Sequence, residues 1–251
     1  ISGPGGIDPG SKPVGATQNE DTMDELANFW RTLIENRDLF QAGFLNTVYL
    51  FLIAGIGSLI WGTMLAAMRV SPVPALRGFG AAYVNTIRNT PLTLVFAFLA
   101  FAVPKTMEGF PPGTFGRSGF FTSAYIALII YTSAFICEVV RSGVNTVSAG
   151  QAEAARALGM TFGQVLGLIV LPQAFRSIVP PLTSVMIAML KNTTIAAGFS
   201  VLEAGAIRAN MSERGESQVL TLLWITIGFL ILIVPLVAAQ RALERKWTVA
   251  R

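Results

Sequence analysis

Two sets of residues in this 251-residue chain have the types and spacing to do chemistry. The first is a pair of cations set in apolar surroundings: Arg88, followed by Asn89, Thr90 and Pro91, and Lys191, followed by Asn192 and Thr193. A cation at the centre of a membrane-crossing helix costs about 2.5–3.5 kcal/mol on insertion, so it is a functional candidate by default. Pro91 interrupts the backbone ladder beside Arg88 and frees polar groups that can face a cavity. Two cations with neighbouring amides and hydroxyls suit a ligand bearing carboxylates. Alternatively, either cation snorkels to a headgroup or pairs with Glu138 for assembly.

The second set lies in the polar, glycine-punctuated stretch 150–172, GQAEAARALGMTFGQVLGLIVLP. Ser148 and Gln151 have capping-box spacing and predict a helix starting near Ala149. Glu153, Ala154, Ala155, Ala157 and Leu158 are good helix formers. Gly159 suits a left-handed C-terminal cap. Thr161 and Gln164 repeat the capping-box spacing, and Pro172 disfavours helical geometry at Leu171, which predicts a second helix ending there. The reading is helix, glycine turn, helix. Ala154 and Ala155 give a low-relief surface that can seat in a groove on another protein, with Gln151, Glu153 and Arg156 as polar contacts around it. Capping patterns alone fit equally an ordinary inter-helix loop that happens to be helical.

The elements that must position these residues are membrane helices. The chain is 53% hydrophobic and 13% charged, against about 25% charged in soluble domains. Its apolar residues fall in blocks of the length a spanning helix needs. Five spans are predicted, at about 42–68, 80–103, 119–140, 180–201 and 218–240. The expected class is an all-α membrane protein with a five-helix domain over 42–241 and a tail over 242–251. Arg88 interrupts the second span, and Lys191 lies in the fourth. Glu138 and Arg141, near the end of the third, share a helix face and read as a local ion pair. Ser58, Gly62 and Ala66 recur every four residues in the first span and allow close helix approach, as in ordinary packing or a dimer face.

Charge orients the spans. Arg69, Arg77, Arg141, Arg156, Arg176, Arg241, Arg245, Lys246 and Arg251 fall on one side. Lys105, Arg117, Arg208 and Arg214 fall on the other, accompanied by Glu108, Glu203, Glu213 and Glu216. The positive-inside rule then puts the N-terminus outside, with the C-terminus and the 149–172 loop in the cytoplasm. Residues 1–22, rich in Gly and Pro, read as extended or disordered. Residues 23–41 place Leu26, Phe29, Trp30, Leu33, Ile34 and Phe40 near helical spacing. They read as an amphipathic helix on the outer membrane surface, or as a simple solvated lead-in.

Several chemistries are disfavoured. The chain has no histidine and one cysteine, Cys137, so the commonest general base and transition-metal ligand are missing and no internal disulfide can form. No metal site and no catalytic residue is expected. The net charge of +4 comes from scattered, not striped, basic residues and carries no nucleic-acid motif. The segment GGIDPGSK (Gly5 to Lys12) lacks the Gly-Lys-Ser/Thr order of a phosphate-binding loop. No Walker motif remains for ATP hydrolysis by this chain.

The wording of the motifs carries a resemblance. Glu153-Ala154-Ala155, Gly159, Ile169 and Leu171-Pro172 match the EAA motif of ABC-importer permease subunits. The segments from Ile87 to Pro91, Glu138 to Met160, Leu171 to Arg176 and Leu190 to Thr194 resemble the polar-amino-acid branch, over about residues 42–248. The segments IRNTPLTL, YTSAF, SGVNTV and KNTTIA are most similar to glutamate-uptake permeases of actinobacteria. Where that family often has Asp-Thr-Ser and Ala-Tyr, this chain has Asn192-Thr193-Thr194 and Ala134-Phe135.

The resemblance implies a type I importer permease (MetI-like) fold in a bacterial cell membrane. It implies a second permease, identical or homologous, two cytoplasmic ATPase subunits that bind ATP and Mg, an extracellular or lipid-anchored amino-acid-binding protein, and membrane lipid around the assembly. It also implies that Glu153, Ala154, Ala155 and Gly159 sit in the ATPase cleft. Arg88 and Lys191, present in arginine-specific relatives too, then suit an α-carboxylate. Two rivals stand beside this reading. A non-transporting membrane scaffold would recruit a partner through the same loop. An ion-coupled carrier would carry internal repeats, which the sequence does not display.

Overall fold

A computed structural model describes residues 27–107, 112–114 and 116–248, and every regular element among them is helical. The N-terminal stretch expected to be extended, 1–22, the first residues of the expected lead-in helix, 23–26, and the last residues of the tail, 249–251, lie outside the described residues.

Helix α1 covers residues 27–35 and meets α2, Arg37–Val70, at a turn on Asn36. The expected lead-in helix 23–41 is therefore divided, and its last residues open the first span instead. Asn36 accounts for the boundary: its side-chain amide donates to the Thr32 carbonyl and to Glu216 Oε1, while its Oδ1 accepts from Arg214. The apolar face of α1 lies on protein. Phe29 stacks on Trp224, whose indole N–H donates to the Phe29 carbonyl at 2.8 Å, and Leu33 packs against the buried cluster that includes Leu39, Ile207 and Trp224. Trp30 and Ile34 remain exposed.

The second predicted span is not a straight helix. α3, Pro74–Arg88, and the helical run Leu92–Thr106 meet at 104°. That run comprises α4, Leu92–Ala97, a π turn over Phe98–Ala102, and α5, Val103–Thr106. Pro91 has no N–H to continue the ladder and sits at an extended backbone position. The third span is α6, Gly119–Asn145, which runs past its expected end and holds Glu138 and Arg141 paired within it.

The 149–172 loop begins as α7, Ala149–Ala157. It continues through α8, Phe162–Val165, and a π turn, Leu166–Val170, directly into α9, Leu171–Asn192, and a 3₁₀ stretch, Thr193–Phe199. The predicted stop at Pro172 is thus corrected: residues 163–199 form one long apolar helical run. Pro172 is accommodated because it follows the π turn Leu166–Val170, where the i→i−4 ladder that a proline interrupts has already given way to wider bonding. A short 3₁₀ turn, Ala204–Ala206, and α10, Ile207–Glu213, lead to α11, Gln218–Thr248, so most of the predicted tail is helical.

Side-chain contacts fix the directions of these helices. Asn46 and Arg117 meet near the starts of α2 and α6, while Arg69 and Glu138 meet near their ends, so α2 and α6 run the same way. α9 runs against them: Ile178 lies beside Gly143, Met189 beside Gly55, and Glu203 beyond its end beside Thr47. α11 returns, with Trp224 at the α1 end and Gln240 against Ser184. The bent α3–α5 unit must carry the chain back between α2 and α6. The stripe of Ser58, Gly62 and Ala66 is internal packing. A Cβ on Gly62 would stand 2.7 Å from Ile136, Ser58 lies beside Met189, and Ala66 joins Ala134 and Cys137.

Candidate functional site: an arginine cluster and an exposed elbow

At the Arg69 end of the bundle, one carboxylate faces three guanidinium groups. α6 presents Glu138 and Arg141 one turn apart, and Arg141 Nη2 donates to Glu138 Oε2 at 2.8 Å. The last turn of α2 brings Arg69, whose Nη1 donates to Glu138 Oε1. The last residue of α3 brings Arg88, with Nη1 3.9 Å from the same oxygen and its guanidinium 5.5 Å from the centre of the Phe135 ring. The Arg88 side chain is 46% exposed. The predicted pairing of Glu138 with Arg141 is present in the geometry, and so is the alternative that brings Arg88 to Glu138.

The remaining residues predicted to line a path are distributed. Asn89 and Thr90 spend side-chain donors on the Asn85 and Thr86 carbonyls, at 2.7 and 2.8 Å. Lys191 is exposed and makes no ion pair among the described residues. It follows Met189, which packs at Gly55 and Ser58, about 16 Å along α2 from Arg69. Within one chain the two cations therefore sit at different levels. Asn192 is half-buried. Thr193 is fully buried and its hydroxyl donates to the Leu190 carbonyl at 2.7 Å, so it presents nothing to an open path in this conformation.

The elbow leaves α6 at this same end. Helix α7 starts where predicted, although the Ser148 side chain makes no cap bond; Gln151 instead accepts from Gln173 Nε2 at 2.8 Å. Gly159 has φ +84°, and the Met160 N–H reaches back to the Ala155 carbonyl, closing the predicted left-handed cap. The second capping box forms in both directions: the Thr161 N–H donates to Gln164 Oε1, and the Gln164 N–H to Thr161 Oγ1. Gln151, Glu153, Ala154, Arg156 and Gly159 are exposed. Ala155 is not: at 4% exposure its methyl packs inward, which corrects the expectation of a two-alanine outer surface. Helical geometry turns neighbouring residues about 100° apart, so only one of the two can face out.

Three residues were missed as site candidates. Arg69 was read as a loop charge, because no spacing rule pairs residues across two helices. Leu158, 85% exposed beside Gly159, adds an apolar knob to the elbow; an apolar residue before the glycine was the available signal. Glu203, in the connection before α10, is fully buried with no cation paired to it among the described residues. It accepts from the Ala206 N–H at 3.2 Å and lies 3.3 Å from Thr47 Oγ1. Burial pushes its carboxyl up to about 7, against the opposing pull of the Gly205 and Ala206 N–H groups and the Thr47 hydroxyl.

Comparison with known proteins agrees with this arrangement. The family described as "Binding-protein-dependent transport system inner membrane component" matches residues 58–249. The chain is 42% identical to the "Glutamate transport system permease protein GluC" of Corynebacterium efficiens, covering 82% of this chain and 92% of that protein. It is 34% identical to the "Probable glutamine ABC transporter permease protein GlnM" of Bacillus subtilis, covering 85% and 95%. Among solved structures, "an amino acid ABC transporter with histidines" superposes with a TM-score of 0.75 at 25% identity, over 85% of this chain and 96% of that one. The inward-facing methionine ABC transporter MetNI superposes at 0.66 and 20% identity, a likeness of fold. With a bent second span, an elbow between the third and fourth, and this match over most of its length, the chain belongs to the family of inner-membrane components of binding-protein-dependent transport systems.

Proposed function

We propose that this chain forms half of the transmembrane path of an ATP-driven glutamate importer. Its family and relatives make it a multi-pass membrane permease of a polar-amino-acid ABC importer, not an enzyme. Glutamate is favoured because two Corynebacterium relatives named for glutamate transport stand at 42% and 43% identity over 82% and 76% of the chain, whereas of two glutamine-named Bacillus subtilis relatives one stands at 34% over 85% and the other at 41% over 61%. The chain crosses the membrane five times, the bent unit counting once, with its N-terminus outside and its C-terminus inside. It works with a second, identical or homologous permease. An extracellular binding protein delivers the amino acid, and two cytoplasmic ATPases hold ATP and Mg.

The observation that carries the proposal is the elbow. Its exposed face joins Ala154, Leu158 and Gly159 with Gln151, Glu153 and Arg156, standing on the end of the bundle where the basic residues gather. Closure of the ATPase pair around this face would push on α7 and, through the continuous run into α9, on the membrane core. Arg88, Asn89, Thr90, Lys191, Asn192 and Thr193 belong to the substrate path in this reading, with Thr193 released from Leu190 in another state. The two states must differ in affinity for ATP-bound partner or for substrate, since a ligand indifferent to both shifts nothing.

The test is ATP hydrolysis by the reconstituted assembly, stimulated by binding protein loaded with glutamate or with glutamine. Stimulation by glutamate is expected, and Glu153→Lys or Gly159→Val should abolish it while the permease still inserts. Normal stimulation in both variants would remove the elbow as the coupling site; stimulation by glutamine alone would reassign the substrate.

A further inference from the structure

The arginine cluster is short of carboxylate. Glu138 is the one acid facing Arg69, Arg88 and Arg141 among the described residues. Each of its oxygens already accepts a charge-assisted bond, Oε1 from Arg69 and Oε2 from Arg141. Arg88, at 3.9 Å, is beyond hydrogen-bond distance and makes no hydrogen bond to any described residue. Its side chain is the most exposed of the three, and its guanidinium rests against the Phe135 ring, which orients it without occupying its donors. Arg141 Nε is buried without an acceptor. A planar fork with free donors, in a cluster carrying two excess positive charges, is prepared for a second carboxylate.

We propose that Glu138 acts as an internal competitor for Arg88, holding its charge loosely until the carboxylate of the transported amino acid takes it, and reclaiming it to favour release. The proposal rests on the reading of Arg88 as a substrate-path residue and adds Glu138 as a positioning residue that sets how tightly the path retains substrate. The geometry fits that task. Glu138 is anchored by Arg69 and Arg141 and cannot swing to bond Arg88 fully without losing one of them. Its field nevertheless lowers the attraction Arg88 exerts on an incoming anion. Arg88 also stands at the 104° break between α3 and the Leu92–Thr106 run, so an exchange of its partner bears on the angle between them.

The measurement is equilibrium dialysis of labelled glutamate against the purified permease pair with its ATPases, without binding protein, in phosphatidylcholine nanodiscs. Arg88→Gln is expected to weaken retention by about tenfold or more, the loss of a hydrogen-bonded charge pair. Glu138→Gln is expected to tighten retention severalfold and to slow turnover in the reconstituted importer, a split that simple misfolding does not produce. Should Glu138→Gln fail to assemble, Glu138→Asp, which keeps the charge but draws it back from Arg88, carries the same expectation. Unchanged or weaker retention in an assembled Glu138 variant overturns the competitor role, even where Arg88→Gln upholds the path. Unchanged retention in Arg88→Gln overturns both. A lipid phosphate offers Arg88 similar chemistry, so the assay is repeated with added phosphatidylglycerol. Loss of glutamate retention on that addition, absent in Arg88→Gln, would assign Arg88 to a headgroup and overturn the proposal.

Discussion

A carboxyl with no cation beside it answers to pH differently from one held by three. Among the described residues Glu203 is bonded by backbone N–H groups and the Thr47 hydroxyl, which in turn accepts from the Ala204 N–H. No charged side chain is among the causes acting on it, and desolvation raises its titration from the ordinary 4.5 to about 7. The fold therefore prefers its neutral form. The stability this confers is complete below pH about 4.5, falls as the unfolded chain ionises, and is gone above pH about 7. The full swing is on the order of 3 kcal/mol. Glu203→Gln keeps the acceptor for Ala206 and the shape, so it should flatten this dependence and raise stability above neutrality. Thermal unfolding of the purified assembly on either side of the window measures it. Parallel pH profiles for the two proteins would show that Glu203 is solvated in the assembly.

The elbow depends on how closely α6 and α9 approach beneath it. A Cβ on Gly143 would stand 2.2 Å from Ile178 Cγ1 and 3.3 Å from the Ala174 carbonyl, so the helices touch through the missing side chain. Gly143→Val is expected to cost about 1–3 kcal/mol by overpacking and to uncouple ATP hydrolysis from substrate, because it parts the two helices that flank α7 and α8. Gly78→Ala is the contrast: nothing lies within 4 Å of that position in α3, and about 0.5–1 kcal/mol of stabilisation is expected from the lost chain entropy. Thermal midpoints with coupled-ATPase assays separate the two; equal effects would mean the α6–α9 approach is not special. Local chemistry made parts of these elements legible in advance. Gly159 and the Thr161–Gln164 box declared the turn and the second start, since both are bonds between near neighbours. Pro91 and Pro172 read alike in the sequence but behave oppositely. Pro91 stands at a sharp break, while Pro172 follows a π turn and lets the helix run on. The turn formed by 166–170 has no residue type that announces it, and Arg69 meeting Glu138 depends on the α2–α6 packing.

At the scale of the whole molecule, α2, α6 and α11 run one way while α9 and the bent α3–α5 unit run the other. Helix α1 and the start of α11 share one end through Phe29 and Trp224. The ends of α2 and α6 share the other through Arg69 and Glu138, and α7 projects from there. In the proposed five-span arrangement the chain's two ends lie on opposite sides, and the arginines Arg69, Arg77, Arg141, Arg156 and Arg176 collect at the elbow end. In the proposed orientation the positive-inside rule puts that end in the cytoplasm, as a docking site for a soluble ATPase requires. Cys137 is the chain's one cysteine and is buried, so Cys137→Ser gives a silent background for labelling. In it, Ser217→Cys, exposed just before α11, should react with a membrane-impermeant maleimide on intact cells. Ala154→Cys, on the outer face of α7, should react only after the membrane is opened. The reverse pattern would turn the elbow away from any cytoplasmic motor. Labelling of both sites from outside would mean that the run 163–199, the one candidate span between them, does not cross the membrane.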